Sequence, residues 1–507
     1  MFGGPGKAIS ERLSNLEDHL RVEHPELLEV VGTYRDLDRV LYGMGLLSNE
    51  ESLATRIPWF PLIAILGTFS SGKSTFINHY VNEKLQSTGN QAVDDKFTVI
   101  CYGPEEQRRT LPGTALDADP RFPFFGMSDE IDKVAAGEGK RIDSYLQLKT
   151  TPSAAVKGKI LIDSPGFDAD DQRRSILRLT DHIVDLADLV LILFDARHPE
   201  PGAMQDTLEH LVKGTVNRTD ARKFLYILNQ IDTAAREDNP EEVVAAWQRA
   251  VAQAGLSSGP FFTIYNERAA VPIEDVALRR RFESKRDRDL AEIGRRIDDV
   301  EMERSYRIVR VLETVLNEIE SEALPALRRA LTRWRKRTVI GDLVWAGVVV
   351  AGMAVWFYLR GLDGYLSAWH TLREYAPAHL VAAAVLVLAG FGLHLAVRQG
   401  AAKSVAASLP DKAGQMGLNL RAAFLRNTPG WRSQYRPDPV GWGRRTGKRL
   451  KEIRQSLARH VQRFNDLYTD PSGRRAAARA AAVAAEAEAP PATAVTADSG
   501  KEPENRE

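Results

Sequence analysis

The chain has 507 residues, with 68 Lys and Arg balanced by 68 Asp and Glu, and a single cysteine, Cys101. This length predicts two or three domains. The balanced charge points to no charged partner for the chain as a whole. One cysteine excludes an internal disulfide framework and fits a reducing compartment. Residues 1–6 lack a basic flank followed by an apolar core, so we expect no cleavable signal peptide.

The N-terminal part, residues 8–45, has the apolar spacing of a helix. Leucines recur at intervals of three and four before Pro25, and apolar residues continue at that spacing after it. An amphipathic face of this kind needs a partner that buries it. We therefore assign residues 1–57 to the first part of a helical stalk, ended by Pro58 and Pro61.

The next part alternates apolar strands with helical patterns, which predicts a parallel α/β sheet covered on both faces. We place this domain at residues 58–270. The predicted strands are residues 62–66, 98–102, 159–162, 189–194, 224–228 and 261–265. The predicted helices between them include residues 173–187, 203–213 and 240–254.

A glycine-rich segment, residues 67–74, follows the first strand and reads Gly-Thr-Phe-Ser-Ser-Gly-Lys-Ser. The order strand, glycine-rich turn, helix is the context of a phosphate-binding P-loop, whose backbone N–H groups point at phosphate oxygens. Lys73 would bridge the β- and γ-phosphates, and the Ser74 hydroxyl would ligate Mg²⁺. The predicted phosphate-binding residues are Gly67, Ser70, Ser71, Gly72, Lys73, Ser74 and Thr75.

A second phosphate motif, Asp163-Ser164-Pro165-Gly166, follows the third predicted strand. Asp163 would hold Mg²⁺ through water, and the Gly166 N–H would sense the γ-phosphate. Phe167 stands where small Ras-like GTPases have the glutamine that positions the attacking water. Hydrolysis would therefore need loop backbone, Ser70 or a group from residues 86–98.

The third motif is Asn229-Gln230-Ile231-Asp232, which resembles the guanine-reading pattern Asn-Lys-x-Asp. The Asp232 carboxylate would accept two hydrogen bonds from guanine, which adenine cannot offer in that way. Asn229 would connect neighbouring loops. Gln230 replaces the lysine and lacks its charge, which leaves ATP open. GTP is favoured because Asp232 matches the guanine-reading position.

Residues 285–337 are strongly helical, and we assign residues 271–338 to the stalk, with a kink or division expected at Pro325. Two apolar runs follow, residues 339–359 and 380–397. A helix needs about 20 apolar residues to cross about 30 Å of hydrocarbon, so we predict a transmembrane hairpin at residues 339–397. The alternative is a hairpin buried in a soluble core.

The flanks of the two runs are basic and the connection between them is not, so both termini should face the cytoplasm. Residues 398–469 should return to the stalk. Within them, residues 421–463 carry twelve Lys and Arg against Asp438 and Glu452. Beside a membrane span this charge favours anionic lipid over nucleic acid, with a solvated helix face as the alternative. Residues 470–507 are too poor in large apolar residues to order, so we predict a disordered tail.

These motifs resemble the dynamin superfamily, and the nucleotide domain is most similar to its EH-domain (EHD) ATPases. The similar stretches are residues 67–77, 89–97, 119–124, 163–166, 193–198 and 228–232. The overall plan resembles mitofusins and bacterial dynamin-like proteins, with a GTPase head, a helical stalk and a membrane-inserting hairpin. The resemblance implies that Ser70 helps to place the charge-compensating ion and the attacking water.

The sequence also departs from the EHD pattern. The family has threonines in switch I, one of which ligates Mg²⁺, where this chain has Val93 and Asp94. Asp94 or Thr98 would have to replace that ligand. We see no EH domain with calcium loops, and EHD proteins lack a transmembrane hairpin. Their use of ATP leaves ATP open here.

The predicted architecture is an α/β P-loop GTPase domain with an α-helical stalk and a two-helix transmembrane hairpin. We name Ser70, Lys73 and Thr98 as catalytic candidates and Ser74, Asp163 and Asp94 as Mg²⁺ ligands. One hypothesis is a membrane-anchored dynamin-like GTPase that forms nucleotide-dependent homo-oligomers and remodels, tethers or fuses a membrane, with the bacterial inner membrane expected. The other is a nucleotide-gated membrane scaffold with little hydrolysis.

Overall fold

We describe the protein from a computed structural model. It describes residues 4–68, 70–88, 96–104, 109–117, 122, 128, 132, 138–165, 173–197, 223–236, 240–253, 260–374, 376–414 and 416–469, without the side chains of 173–178, 236, 240, 360–379 and 382. Met1–Leu457 form one compact unit and Ala458–Glu507 a second. The predicted helix at 203–213 and the predicted tail lie outside the described residues.

One sheet forms the centre of the nucleotide domain. Its described strands are β1 (Leu62–Gly67), β2 (Phe97–Tyr102), β3 (Thr110–Pro112), β4 (Leu146–Thr151), β5 (Ile160–Asp163), β6 (Leu189–Asp195), β7 (Phe224–Asn229) and β8 (Phe261–Thr263). Their order across the sheet is β3-β4-β2-β5-β1-β6-β7-β8. The six predicted strands are all present, and β3 and β4 were not predicted.

The prediction of a parallel sheet holds for most of the strand pairs and was wrong for two of them. Strands β5, β1, β6, β7 and β8 pair in parallel, as do β2 and β4, but β2 runs antiparallel to β5, and β3 runs antiparallel to β4. Between β2 and β5 the described helices are short, Thr114–Asp117 and Ile142–Tyr145. Antiparallel neighbours do not require a long helical crossover, whereas parallel neighbours do.

The core explains why the central strands are almost entirely apolar. Every residue of β1, β6 and β7 is buried, as expected for a sheet covered on both faces. The helices described around the sheet include α3 (Lys73–Val81), α6 (Arg173–Leu186) and α7 (Pro240–Gln253), with the short helices before β4 counted as α4 and α5. Strand β4 alternates buried and half-buried residues.

The remaining helices lie outside the sheet. They are α1 (Lys7–Glu23), α2 (Leu28–Met44), α8 (Val276–Glu318), α9 (Leu324–Glu374), α10 (Ala376–Ala406), α11 (Leu420–Leu425) and α12 (Arg444–Thr469). The helical reading of residues 8–45 is therefore correct, with the interruption at Pro25.

Helix α8 has two different neighbours along its length. Its first half buries Ile293, Ile297 and Val300 in the same core cluster as β1 and β5. The range that we assign to the stalk, residues 271–338, therefore includes a stripe that covers the sheet. The helical spacing showed that the face is buried but not what buries it.

The second half of α8 packs with the N-terminal and C-terminal helices. The Tyr34 hydroxyl of α2 donates to the Ile308 carbonyl at 2.7 Å. Arg449 of α12 donates to Asp36 of α2 at 2.9 Å, and Arg454 donates to Asn317 at 3.0 Å. Helical segments far apart in the sequence thus bury one another's faces in a stalk.

Pro325 does not divide the helix. A π-helical turn, Ile319–Ala323, lies directly before it, and α9 begins at Leu324. Proline lacks an N–H and its ring crowds the preceding turn, and a wider π turn accommodates such a residue. The chain remains helical from Val276 to Leu359.

Helices α9 and α10 form the hairpin. Each contains a window that is long and apolar enough to cross a membrane, and only 6% of each window is buried. A hairpin in a soluble core would be mostly buried, so the described side chains do not support that alternative. Helix α9 continues to Glu374, beyond the predicted end of its apolar run.

Candidate nucleotide-binding site

The P-loop connects the end of β1 to the start of α3, and two of its glycines are required by space. Gly72 has a φ of +86°, and a Cβ built there would lie 2.2 Å from Asn229 Nδ2. A Cβ on Gly67 would lie 2.5 Å from the Leu193 carbonyl oxygen. Any larger residue would displace backbone or the loop that follows β7.

The motif after β7 holds the P-loop from one side. Asn229 Nδ2 donates to the Ser71 carbonyl at 2.9 Å, and Gln230 Nε2 donates to the Ser70 carbonyl at 2.7 Å. Ser70 and Gln230 both have left-handed backbones, with φ of 61° and 62°. Such conformations cost about 1–3 kcal/mol each and persist where neighbouring contacts enforce them. Gln230, the residue that replaces lysine, thus positions the P-loop.

Lys73 is buried at the start of α3. Its Nζ donates to the carbonyl oxygens of Gly67 and Thr68, at 3.0 Å each. Burial lowers the pKa of Lys73, and the Asp163 carboxylate raises it. The two carbonyls are neutral acceptors and stabilise the ammonium only in part. A bound phosphate would supply an anionic acceptor, which forms a stronger hydrogen bond.

Asp163 ends β5 and is held by a network that the sequence did not reveal. Gln86 Nε2 donates to Asp163 Oδ2 at 2.6 Å, and Lys149 Nζ donates to Gln86 Oε1 at 2.5 Å. The backbone of Gln86 is bonded twice to the Asn78 side chain of α3, at 2.8 Å each. Gln86 therefore connects the P-loop helix to the Asp163 carboxylate. No sequence motif marks Gln86. Its importance becomes visible only in the structure, where this polar side chain is 1% exposed.

Thr98 lies in β2 directly opposite Asp163 of β5, so the two side chains share a face of the sheet. Its hydroxyl accepts a hydrogen bond from Gln147 Nε2 at 2.7 Å. Thr98 is thus near the site, in a strand rather than a loop. Gly166 and Asp94 lie outside the described residues, so the predictions for them stand as made.

Asp232 is buried beyond β7, and its Oδ2 accepts a hydrogen bond from the Val271 N–H at 2.8 Å. Burial raises its pKa, while that N–H and the Arg197 guanidinium lower it. Arg197 itself forms a two-pronged pair with Asp195, with Nη2 to Oδ2 at 2.6 Å. The predicted base reader is therefore a buried carboxylate beside a fixed cation.

The structure brings the three motifs together at one edge of the sheet. Gly67, Asp163 and Asn229 end β1, β5 and β7, and parallel strands with helices on both faces bind ligands beyond their carboxyl ends. Ser74 and Thr75 follow Lys73 in the first turn of α3 and are half-buried. The Ser74 hydroxyl and the Asp163 carboxylate are the hard oxygen donors that Mg²⁺ prefers.

A family model described as "Dynamin family" matches residues 63–231, which contain all three motifs. Over these residues the nucleotide domain matches the dynamin family. EH domain-containing protein 1 of Homo sapiens is 26% identical over 234 residues, which cover 43% of this chain and 40% of that protein. The protein of the same name from Arabidopsis thaliana is 25% identical over 179 residues, or 34% of this chain and 30% of the relative. The chain thus spans less than half the length of these relatives.

Two solved structures are similar at a coarser level. One comes from a study of an oligomerised bacterial dynamin pair as a mechanism for long-range sensing and tethering of membranes. Its TM-score is 0.34 at 15% identity, over 78% of this chain and 59% of that one. The other is Toc33 from Arabidopsis thaliana, with a TM-score of 0.30 and 10% identity. The match covers 48% of this chain and 84% of that one. At these scores neither structure bears on function.

Proposed function

We propose that this chain is a membrane-anchored dynamin-like GTPase. It binds Mg²⁺ and GTP at the P-loop and couples binding and hydrolysis to remodelling, tethering or fusion of a membrane. The observation that carries this proposal is the single helix from Val276 to Leu359, which begins against the nucleotide-binding sheet and ends in an exposed apolar span.

The nucleotide contacts follow from the site geometry. The P-loop N–H groups and Lys73 would bind the phosphates, and Ser74 and Asp163 would hold Mg²⁺. Asp232 would accept from the guanine edge, which favours GTP over ATP. Ser70 and Thr98 remain the hydrolytic candidates beside Lys73.

An ion-paired carboxylate connects this site to α8. Asp188, which precedes β6, accepts the Leu62 N–H at 2.9 Å through Oδ2, at the first residue of the P-loop strand. Its Oδ1 faces Arg307 at 2.7 Å and Arg304 at 3.3 Å, both on α8. A shift of β1 on nucleotide binding or phosphate release would therefore move the helix that leads to the hairpin.

The bilayer is the proposed partner of the hairpin. In water its exposed apolar side chains would be unfavourable by about 25 cal/mol for each Å² of apolar surface, and lipid removes that cost. The twelve cationic residues within 421–463 would attract anionic headgroups. Both termini would then face the cytoplasm, with the bacterial inner membrane as the expected location. Loaded heads would pair across their nucleotide faces as homo-oligomers, and no nucleic acid is involved.

A second candidate is a nucleotide-gated scaffold with little hydrolysis, bound to GTP or ATP. It is favoured by Thr98, whose hydroxyl already accepts a hydrogen bond from Gln147 and must exchange that partner before it could ligate Mg²⁺.

Competition between GTP and ATP for the purified full chain tests the site and its base preference. Lys73→Ala removes the charged donor and should weaken nucleotide binding by about 100-fold, since hydrogen bonds to charged groups contribute about 1.5–3 kcal/mol. Lys7→Ala is the control, because Lys7 is an exposed lysine on α1. Unchanged affinity in Lys73→Ala would refute the site, and preferential ATP binding would refute the guanine assignment. Phosphate release with and without liposomes separates the GTPase from the scaffold.

A further inference from the structure

A buried histidine lies where three parts of the chain meet. His24 follows α1 at the interruption before Pro25 and is 2% exposed. Its Nε2 is 2.9 Å from the carbonyl oxygen of Gly158, in the turn before β5. Gly158 has a φ of +77°, and a Cβ there would lie 2.5 Å from His24 Nε2, so only glycine permits this approach.

The other ring nitrogen faces two carboxylates. His24 Nδ1 is 2.8 Å from Glu26 Oε1 and 3.6 Å from Glu301 Oε1 of α8. With Nε2 donating to the Gly158 carbonyl, a neutral imidazole points its Nδ1 lone pair at two anionic oxygens. Such an arrangement needs a positive charge beside Nδ1, which a second ring proton or a metal ion can supply.

We propose that His24, Glu26 and Glu301 bind one divalent metal ion of the zinc class. The three ligand atoms lie within 4.8 Å of one another. Ligands at zinc distances of about 2.0–2.2 Å in a tetrahedron are about 3.4 Å apart, so Glu301 is already at that separation from His24 and Glu26 must retreat by about half an ångström.

The surroundings match those of metal-binding histidines. Such a histidine donates its second N–H to a carbonyl or carboxylate, which fixes its tautomer and orientation, as the Gly158 carbonyl would do here. Glu301 is oriented by an ion pair. Its Oε2 is 3.7 Å from the Lys159 ammonium, while its Oε1 faces His24. Lys159 is in turn bonded to Asp298 at 2.9 Å.

The local charge also favours a cation. Four carboxylates lie around this junction, those of Glu23, Glu26, Asp298 and Glu301. The Glu23 Oε2 accepts the Gly158 N–H at 3.1 Å. The Lys159 ammonium pairs with Asp298 and Glu301. One nitrogen and two carboxylate oxygens suit Zn²⁺ or a neighbouring divalent metal better than a soft, thiolate-bound ion. The bound ion would join the N-terminal helices to α8 beside the turn that precedes β5.

The experiment is zinc binding by the purified full chain in detergent, treated with chelator and then held in millimolar Mg²⁺ and GTP to fill the nucleotide site. We expect one zinc per chain at micromolar affinity or tighter, and a melting temperature that rises by a few degrees on zinc addition. His24→Gln and Glu301→Gln should each weaken zinc binding at least tenfold.

Two matched variants serve as controls. Glu303→Gln is on the same helix, where its carboxylate pairs with Arg296, and His79→Gln replaces an exposed histidine on α3. Both should bind zinc as the wild-type chain does. If His24→Gln fails to fold, the half-exposed Glu301 still gives the test, and GTP binding by Glu301→Gln should be unchanged.

Wild-type protein that binds no stoichiometric zinc would overturn the proposal, and a proton on His24 would then be the cation. Zinc binding of equal strength in the wild type, His24→Gln and Glu301→Gln would overturn it as well. Neither result would touch the nucleotide site, which is tested separately through Lys73.

Discussion

The two ends of the helix from Val276 to Leu359 carry similar residues in opposite surroundings. Near the nucleotide site, Ile297 and Val300 are 1% and 0% exposed against the sheet. In the hairpin, Val348 and Val349 are 55% and 52% exposed. The difference lies in the pattern, since the first end has apolar residues at helical spacing and the second is apolar all round. One end is thus buried in a protein core, and the other has the exposed apolar surface that suits the lipid we propose as its partner.

The largest expected effect concerns the ion pair of Asp188 with Arg304 and Arg307, which joins α8 to the nucleotide domain. Asp188→Asn keeps an oxygen for the Leu62 N–H but removes the charge that faces Arg304 and Arg307. Removing one partner of a buried pair costs about 3–5 kcal/mol, because the other charge stays buried. Thermal unfolding of the full chain measures this. Asp438→Asn, which breaks an exposed pair with Arg328, should cost under about 1 kcal/mol. Equal losses in the two variants would contradict the role given to Asp188.

The second prediction compares the two ends directly by truncating one side chain at each. Ile297→Ala removes buried methyl groups and should destabilise the nucleotide domain by about 2–5 kcal/mol. Val349→Ala, in detergent, should leave the same unfolding transition unchanged. If the two variants lowered the melting temperature alike, the hairpin would be part of the folded core.

A charge in the apolar span should affect membrane insertion but not folding of the head. Val349→Lys places an ammonium near the middle of the first span, at a cost of about 2.5–3.5 kcal/mol. Val276→Lys is the matched control, an equally exposed valine at the other end of the same helix. The fraction retained in membranes after alkaline extraction should fall for Val349→Lys alone. Equal retention of the two variants would contradict the placement of Val349 at the centre of the bilayer.

Much of this contrast could be predicted from the sequence. The six strands were predicted because fully buried strands are continuous apolar runs, and the three motifs because phosphate chemistry fixes residue types at fixed spacings. Strands β3 and β4 were missed, since β4 is half-buried with mixed residues and β3 ends in Pro112 at the sheet edge. The stripe at Ile293 and Ile297 was assigned to the stalk because spacing does not name the surface that covers it.

The site shows the same limit. Gln86 reaches Asp163 across 77 residues of sequence, and this contact depends on how the loop after α3 folds back. The role of Gln230 in positioning the P-loop was also hidden. A pattern match records the missing lysine charge and not the hydrogen bond that the Gln230 side-chain amide donates to the Ser70 carbonyl. Local chemistry was readable from the residues, but contacts between distant segments were not.

The smallest expected effect is on Mg²⁺ binding. Gln86→Leu keeps the size of the side chain but removes the donor to Asp163 and the acceptor for Lys149. With its orientation lost, Asp163 should hold Mg²⁺ about tenfold more weakly, as for other groups that position metal ligands. Titration of GTP hydrolysis or GTP binding with Mg²⁺ measures the shift. Gln248→Leu, at an exposed position on α7, is the control. An equal Mg²⁺ requirement in both variants would contradict the role given to Gln86.

The central claim is that a nucleotide site acts on helices embedded in lipid. The most direct measurement is the rate of GTP hydrolysis by the full chain in detergent and after reconstitution into anionic liposomes, for the wild type and for Val349→Lys. We expect hydrolysis to increase several-fold in liposomes for the wild type and not for the variant. No hydrolysis under any condition, or the same rate with and without a bilayer, would contradict the account.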